Sequence, residues 1–153
     1  MTKESGSIAT NKKAFFDYEI QEKMEVGIAL VGSEVKSIRQ GHVVIRDSFV
    51  RALDGEFWLL NCVIQAYKQK SSHEVVATDR TRKLLAKKME ILKWAAKVDS
   101  KNLVIVPLNL YFKGPLVKLQ IGLAVPKKKF DKREAIKDRM IKRDLDRARK
   151  SFK

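Results

Sequence analysis

The sequence predicts a mainly β (α+β) fold: a small antiparallel barrel with short flanking helices and a basic C-terminal tail. Three observations carry that expectation. Short apolar runs recur between turn pairs such as Asp54-Gly55 and Gly114-Pro115. Only two stretches of the first 125 residues carry a helical pattern. Finally, the charge is uneven. The 153-residue chain holds 33 Lys and Arg against 18 Asp and Glu, a net of +15. Residues 127–153 contribute 13 of the basic and 5 of the acidic groups, a net of +8 against +7 for everything before them. That break separates a tail over 126–153 from a body over 11–125, and residues 1–10, with their Ser, Thr, Lys and Gly, read as a flexible leader.

Along the body, Phe15 to Ile20 alternates loosely and reads as a strand, and Val26 to Val31 is a short apolar run. Ser33 to Arg39 reads as a short helix closed by Gly41. Phe49–Leu53 and Phe57–Leu60 flank Asp54-Gly55, a pair that tolerates the positive φ of a tight hairpin turn. Residues 82–97 read as the longer helix, because Leu85, Met89, Leu92 and Ala96 fall at i, i+4, i+7 and i+11 behind Asp79 as N-cap. Leu103 to Phe112 is a long strand in which Pro107 demands an edge or a bulge, and Gly114-Pro115 returns it into Leu116 to Val125. About six strands with turn signals and two helices fit a closed or partly open barrel.

The tail has its own period. Ile141, Leu145, Ala148 and Phe152 share one helical face, and Asp138–Lys142 and Asp146–Lys150 are acid-before-base pairs at i, i+4. So narrow a stripe buries little, so the tail is expected to be disordered when free and helical when bound to a surface.

The composition removes most chemistry. The single cysteine, Cys62, excludes an internal disulfide framework and a cysteine-rich zinc site. Two histidines, His42 and His73, cannot build a multi-histidine metal centre. There is no phosphate-binding glycine loop and no nucleophile elbow, and the carboxylates form no sharp pair. No cofactor, metal or catalytic residue is expected. Nor is there an apolar run near the ~20 residues that cross a bilayer. A reducing cytoplasm is the expected compartment.

The charge calls for a polyanion, because each Lys or Arg near a phosphate releases condensed counterions, with an anionic membrane surface as the alternative. Three basic clusters supply it: Asn11-Lys12-Lys13-Ala14, Arg80-Thr81-Arg82-Lys83 and the tail. Tyr18, Trp58, Tyr67, Trp94, Tyr111 and Phe112 are candidates for base stacking or for the core. Glu34 and Lys36 lie two apart on the short helix and do not face each other. Glu25, among basic groups, either pairs with a neighbouring Arg or accepts from a base or a 2′-hydroxyl.

These stretches resemble the SsrA-binding protein family, bacterial partners of transfer-messenger RNA. The resemblance rests on Asn11-Lys12-Lys13-Ala14, Glu25 to Leu30, Gly32-Ser33-Glu34-Val35-Lys36-Ser37, Arg46 to Val50, Arg80 to Leu85, Leu110-Tyr111, Val117-Lys118 and Asp131-Lys132-Arg133 with Ile136-Lys137-Asp138-Arg139. They run in the family's order from about residue 9 to 150. The resemblance implies an oligonucleotide-binding-type (OB-like) barrel. It implies binding to the tRNA-like domain of transfer-messenger RNA and delivery to the stalled 70S ribosome for trans-translation, with elongation factor Tu in the same complex and no membrane. Carried over residue by residue, it places Asn11, Lys12, Tyr18, Glu25, Lys36, Arg80, Arg82, Lys83, Leu85 and Lys118 in the RNA-binding body. It places Lys127, Lys128, Asp131, Lys132, Arg133, Ile136, Lys137 and Arg139 in a tail that lies in the decoding centre and the mRNA channel. The chain departs from the family in three places. Asp79 meets Arg80 directly where the family has a Pro, Pro126 stands for a Gly, and Phe130 stands for a His or Tyr. The competing expectation is a generic OB-fold single-stranded-RNA-binding or ribosome-associated protein.

Overall fold

The computed structural model describes residues 7–66 and 77–127. The chain begins with β1 (Ser7–Thr10), α1 (Lys12–Asp17) and β2 (Tyr18–Ile28), followed by α2 (Gly32–Arg39) and β3 (Val43–Val44). The hairpin β4 (Phe49–Leu53) and β5 (Glu56–Leu60) comes next, then β6 (Val63–Ile64) and β7 (Arg82–Leu85). The long helix α3 (Lys88–Lys101) leads into β8 (Val104–Lys113) and β9 (Leu116–Pro126).

Six antiparallel pairings close a ring: β2 to β9, β9 to β8, β8 to β4, β4 to β5, β5 to β7 and β7 back to β2. The seam is thin at β4 and β8, where Val50 and Ile105 form the registered pair. Strand β1 adds to the outer edge of β8, and β3 with β6 forms a separate ribbon. Inside the ring, Phe57, Leu59, Leu84, Leu110, Leu119, Ile121 and Leu123 are closed to solvent. Removing that apolar surface from water is the main drive for folding.

The turns follow their residues. Asp54 and Gly55 both take positive φ, +54° and +76°, the geometry of a two-residue hairpin loop. Gly114 takes +61° between Lys113 and Leu116. Pro107 sits beside a register shift in β8, as its missing N–H requires, although β8 is not an edge strand.

Four expectations need correction. Residues 15–17 are helix rather than strand, the second half of α1, and the expected strand begins only at Tyr18. The Asn11 side chain accepts from the Ala14 N–H at 3.1 Å and starts a turn that loose alternation could not prevent. Residues 7–10 of the supposed leader are strand β1, held on β8. Residues 82–85 are strand rather than the start of a helix, so Asp79 caps nothing and α3 starts after Lys87. Here the inward positions are Arg82 and Leu84, and an inward arginine hides the period-two signal.

The buried face of α3 is also different. Ile91 and Trp94 turn inward, with Trp94 tilted against Phe57 at 6.3 Å between ring centroids. Met89 and Leu92 of the predicted stripe face solvent, Met89 with 78 % of its surface exposed. Two apolar stripes compete on this helix, and the one carrying tryptophan buries the larger area. The helix ends at Asn102 in the left-handed region, a standard stop.

Candidate nucleic-acid interface

The clearest feature is a transverse row across five strands. Reading outward from β7, Leu85 faces Gly27, Gly27 faces Lys118, Lys118 faces Tyr111 and Tyr111 faces Ser7. At about 4.8 Å between strands, the row spans about 19 Å. Gly27 has no side chain, so the row has a gap. A Cβ there would stand 3.2 Å from the Leu85 Cβ. The gap is the floor of a groove of about 480 Å³, lined by Glu25, Lys83, Leu85, Lys87 and Lys118 among others.

Glu25 stands one step along β2 from this gap. Its carboxylate accepts the Tyr111 hydroxyl and, at 3.2 Å, the Lys113 ammonium. The Tyr111 hydrogen bond is the main reason that the carboxyl stays below its usual range. Burial works against it, and Lys113 and Lys118 add to it. Tyr111 is pushed far upward, by burial first and by the neighbouring carboxylate second. Both groups keep their charge states at neutral pH. Lys83 pairs with Glu56 at 3.4 Å on the far lip.

At the start of β7 lies a charge cluster. Arg82 is closed to solvent and all five of its N–H groups are occupied. Nε and Nη2 reach Glu34 Oε2 at 2.9 and 2.6 Å, Nη2 also reaches the Thr78 carbonyl, and Nη1 reaches the Cys62 and Arg80 carbonyls. Arg80 bonds the same carboxylate at 2.6 and 3.1 Å and the Ala29 carbonyl at 3.3 Å. Burial alone would raise the Glu34 carboxyl. The two guanidinium groups and the Val31 N–H overcome it and hold the group below its usual range.

The residues carried over from sequence therefore separate. Glu25, Lys83, Leu85 and Lys118 converge on one groove. Arg80 borders solvent through the 29 % of its side chain that Glu34 leaves open, and Lys36 is exposed on α2. Arg82 and Asn11 both face inward, closed to solvent. Asn11 bonds the Pro107 carbonyl at 2.8 Å and caps α1. Lys12 and Tyr18 lie with α1 at the start of β2, nine residues and about 30 Å along the strand from Gly27. There Tyr18 lines a second, more apolar groove of about 710 Å³ between α1, α3, β4 and β8. Lys127 also belongs to that end: its N–H reaches the Asp17 carbonyl at 2.9 Å and its ammonium the Phe15 carbonyl at 3.3 Å. Lys128, Asp131, Lys132, Arg133, Ile136, Lys137 and Arg139 lie outside the described residues, as do Tyr67, His73 and Phe130.

Sequence reading missed Tyr111 and Lys113 as partners of Glu25. No spacing rule announces a contact between residues 86 positions apart. Trp94 is core, and Arg39 stacks over Phe112 at 5.7 Å. Cys62 is buried in the core, where desolvation pushes its thiol up to about 11 and keeps it protonated. Among the described residues, no three His, Cys, Asp or Glu side chains are placed to hold a metal, and no helix is long and apolar enough to cross a membrane.

The family model described as SmpB protein matches residues 8–151. This chain belongs to the SmpB family. Among similar proteins, the SsrA-binding protein of Sulfurihydrogenibium sp. is 53 % identical over 148 residues, covering 95 % of this chain and 93 % of the relative. That of Carboxydothermus hydrogenoformans is 50 % identical over 143 residues, with 92 % and 94 % covered. A chain of the solved structure described as "tmRNA-SmpB: a journey to the center of the bacterial ribosome" superposes with a TM-score of 0.66 at 43 % identity, covering 84 % of this chain and 93 % of that one. The SmpB fold is thus the setting for the groove at Gly27.

Proposed function

We propose that this chain binds the tRNA-like domain of transfer-messenger RNA and brings it to stalled ribosomes for trans-translation. The observation that carries the reading is the groove at Gly27, where an exposed leucine, the lysines Lys83, Lys87 and Lys118 and the carboxylates Glu25, Glu56 and Glu90 meet on a chain of this family. The lysines neutralise phosphates, and Glu25 offers acceptors to base N–H groups or a 2′-hydroxyl. The work is binding and placement, without a chemical step, and belongs in the cytoplasm where ribosomes are. Elongation factor Tu joins the same complex.

The basic tail acts on the ribosome, in the decoding centre and mRNA channel, where RNA walls supply the energy to order a charged segment. Its origin at Lys127 is at the opposite end of the body from the groove, which suits two contacts made at once.

The test is equilibrium binding at one stated salt concentration to the tRNA-like domain, an ordinary tRNA and an unstructured RNA of equal length. The full chain and a chain ending at Lys127 are compared. The tRNA-like domain is expected to win by a factor of about 10 or more, about 1.4 kcal/mol, for both chains. Only the full chain is expected to support tagging of stalled products. Equal binding of all three RNAs favours the generic RNA binder instead.

A further inference from the structure

Tyr111 and Glu25 are not cross-strand partners. Glu25 faces Gln120 on β9, which faces Asn109 on β8, whereas Tyr111 belongs to the next row with Lys118 and Gly27. The tyrosine therefore reaches diagonally over the whole of β9, about 10 Å between strand axes, to bond the carboxylate on the lip of the groove. Lys113, two residues on and on the same face, takes the other oxygen.

We infer that Tyr111 is a positioning residue of the RNA groove, fixing the Glu25 carboxylate so that its remaining acceptor sites meet the donors of an unpaired nucleotide. A carboxylate offers about four lone-pair sites. Tyr111 and Lys113 occupy one on each oxygen, which leaves one on each for a ligand. An unpaired nucleotide presents the matching donors as the N–H groups of a base edge or as a 2′-hydroxyl. Without the tyrosine hydroxyl, the glutamate would turn among rotamers and lose the entropy advantage of a preset acceptor. The inference rests on the proposed RNA-binding role and adds to it a residue that acts through another.

The experiment compares the full-length protein with Tyr111→Phe, Glu25→Gln and the double variant, measuring affinity for the labelled tRNA-like domain at one salt concentration. Thermal melting of each variant checks the fold. Tyr111→Phe is expected to weaken binding about fivefold, Glu25→Gln about tenfold, and the double variant no more than Glu25→Gln alone. A second readout needs no RNA. The Glu25 carboxyl titration, followed by NMR in the free protein, moves upward in Tyr111→Phe, with Lys113 and Lys118 still facing it. The inference is overturned by wild-type binding in Tyr111→Phe, by losses that multiply in the double variant, or by an unmoved titration. A wild-type protein without preference for the tRNA-like domain would instead overturn the proposed function, and this inference with it.

Discussion

Arg82 and Glu34 face each other at 2.6 Å, the guanidinium closed to solvent and the carboxylate almost so. Arg80 approaches the same carboxylate from the solvent side. One glutamate on α2 therefore ties down both the approach to β7 and β7 itself. Glu34→Ala leaves the buried Arg82 charge uncompensated, and breaking such a pair from one side costs about 3–5 kcal/mol. Urea unfolding followed by tryptophan fluorescence should show the midpoint falling accordingly, with a smaller fall for Glu34→Gln.

The same cluster sets a pH dependence. The folded Glu34 carboxyl lies below its unfolded value of 4.5, as do those of Glu22 and Glu25. A depressed carboxyl contributes stability that is full above the unfolded value and is lost as pH falls through the folded one. Unfolding free energy should be flat near neutrality and decline below about pH 5, consistent with ordinary carboxyl titration. Glu34→Gln, which cannot titrate, should flatten part of that decline. The check is a set of urea curves between pH 7 and pH 3.

Gly27→Ala probes the groove floor. The new Cβ meets Leu85 at 3.2 Å, and Leu85 is an exposed residue at a strand end with room to give. Stability should change by less than about 1 kcal/mol, since the loss of backbone freedom in the unfolded chain offsets the crowding. RNA affinity should fall about tenfold, because the floor of the groove rises. Parallel melting and binding curves separate the two effects.

Lys118 sits beside that floor. If its ammonium neutralises one phosphate, Lys118→Ala should reduce the slope of log affinity against log salt by about 1. A salt titration of both proteins against the same RNA reads this directly. An unchanged slope with weakened binding would place Lys118 on a base rather than the backbone.

Much of this was legible in advance. The Asp54-Gly55 and Gly114-Pro115 turns and the β8–β9 pair all follow from local chemistry that acts within a few residues. What escaped was written across distance. Arg82 is an inward strand residue only because Glu34, 48 positions earlier, waits to receive it. Asn11 resembles a surface polar residue until β8 brings the Pro107 carbonyl to it. Gly27 has an ordinary strand role until Leu85 and Lys118 arrive on either side. The α3 stripe failed for a different reason. Two faces had the same period, and size rather than spacing decided between them.

The β2–β9 ribbon also has a mechanical meaning. Its pairing runs from Tyr18 with Pro126 to Gly27 with Lys118, so the strand that ends at the root of the tail is the strand that carries Lys118 into the groove. A pull on the tail along the strand axis loads the rungs of this ladder together, in shear, instead of opening them one at a time. Strand β8 braces β9 along its other edge. The body is thus a stiff strut from Lys127 to the groove floor at Gly27, and tension applied at one end reaches the other with little stretch on the way.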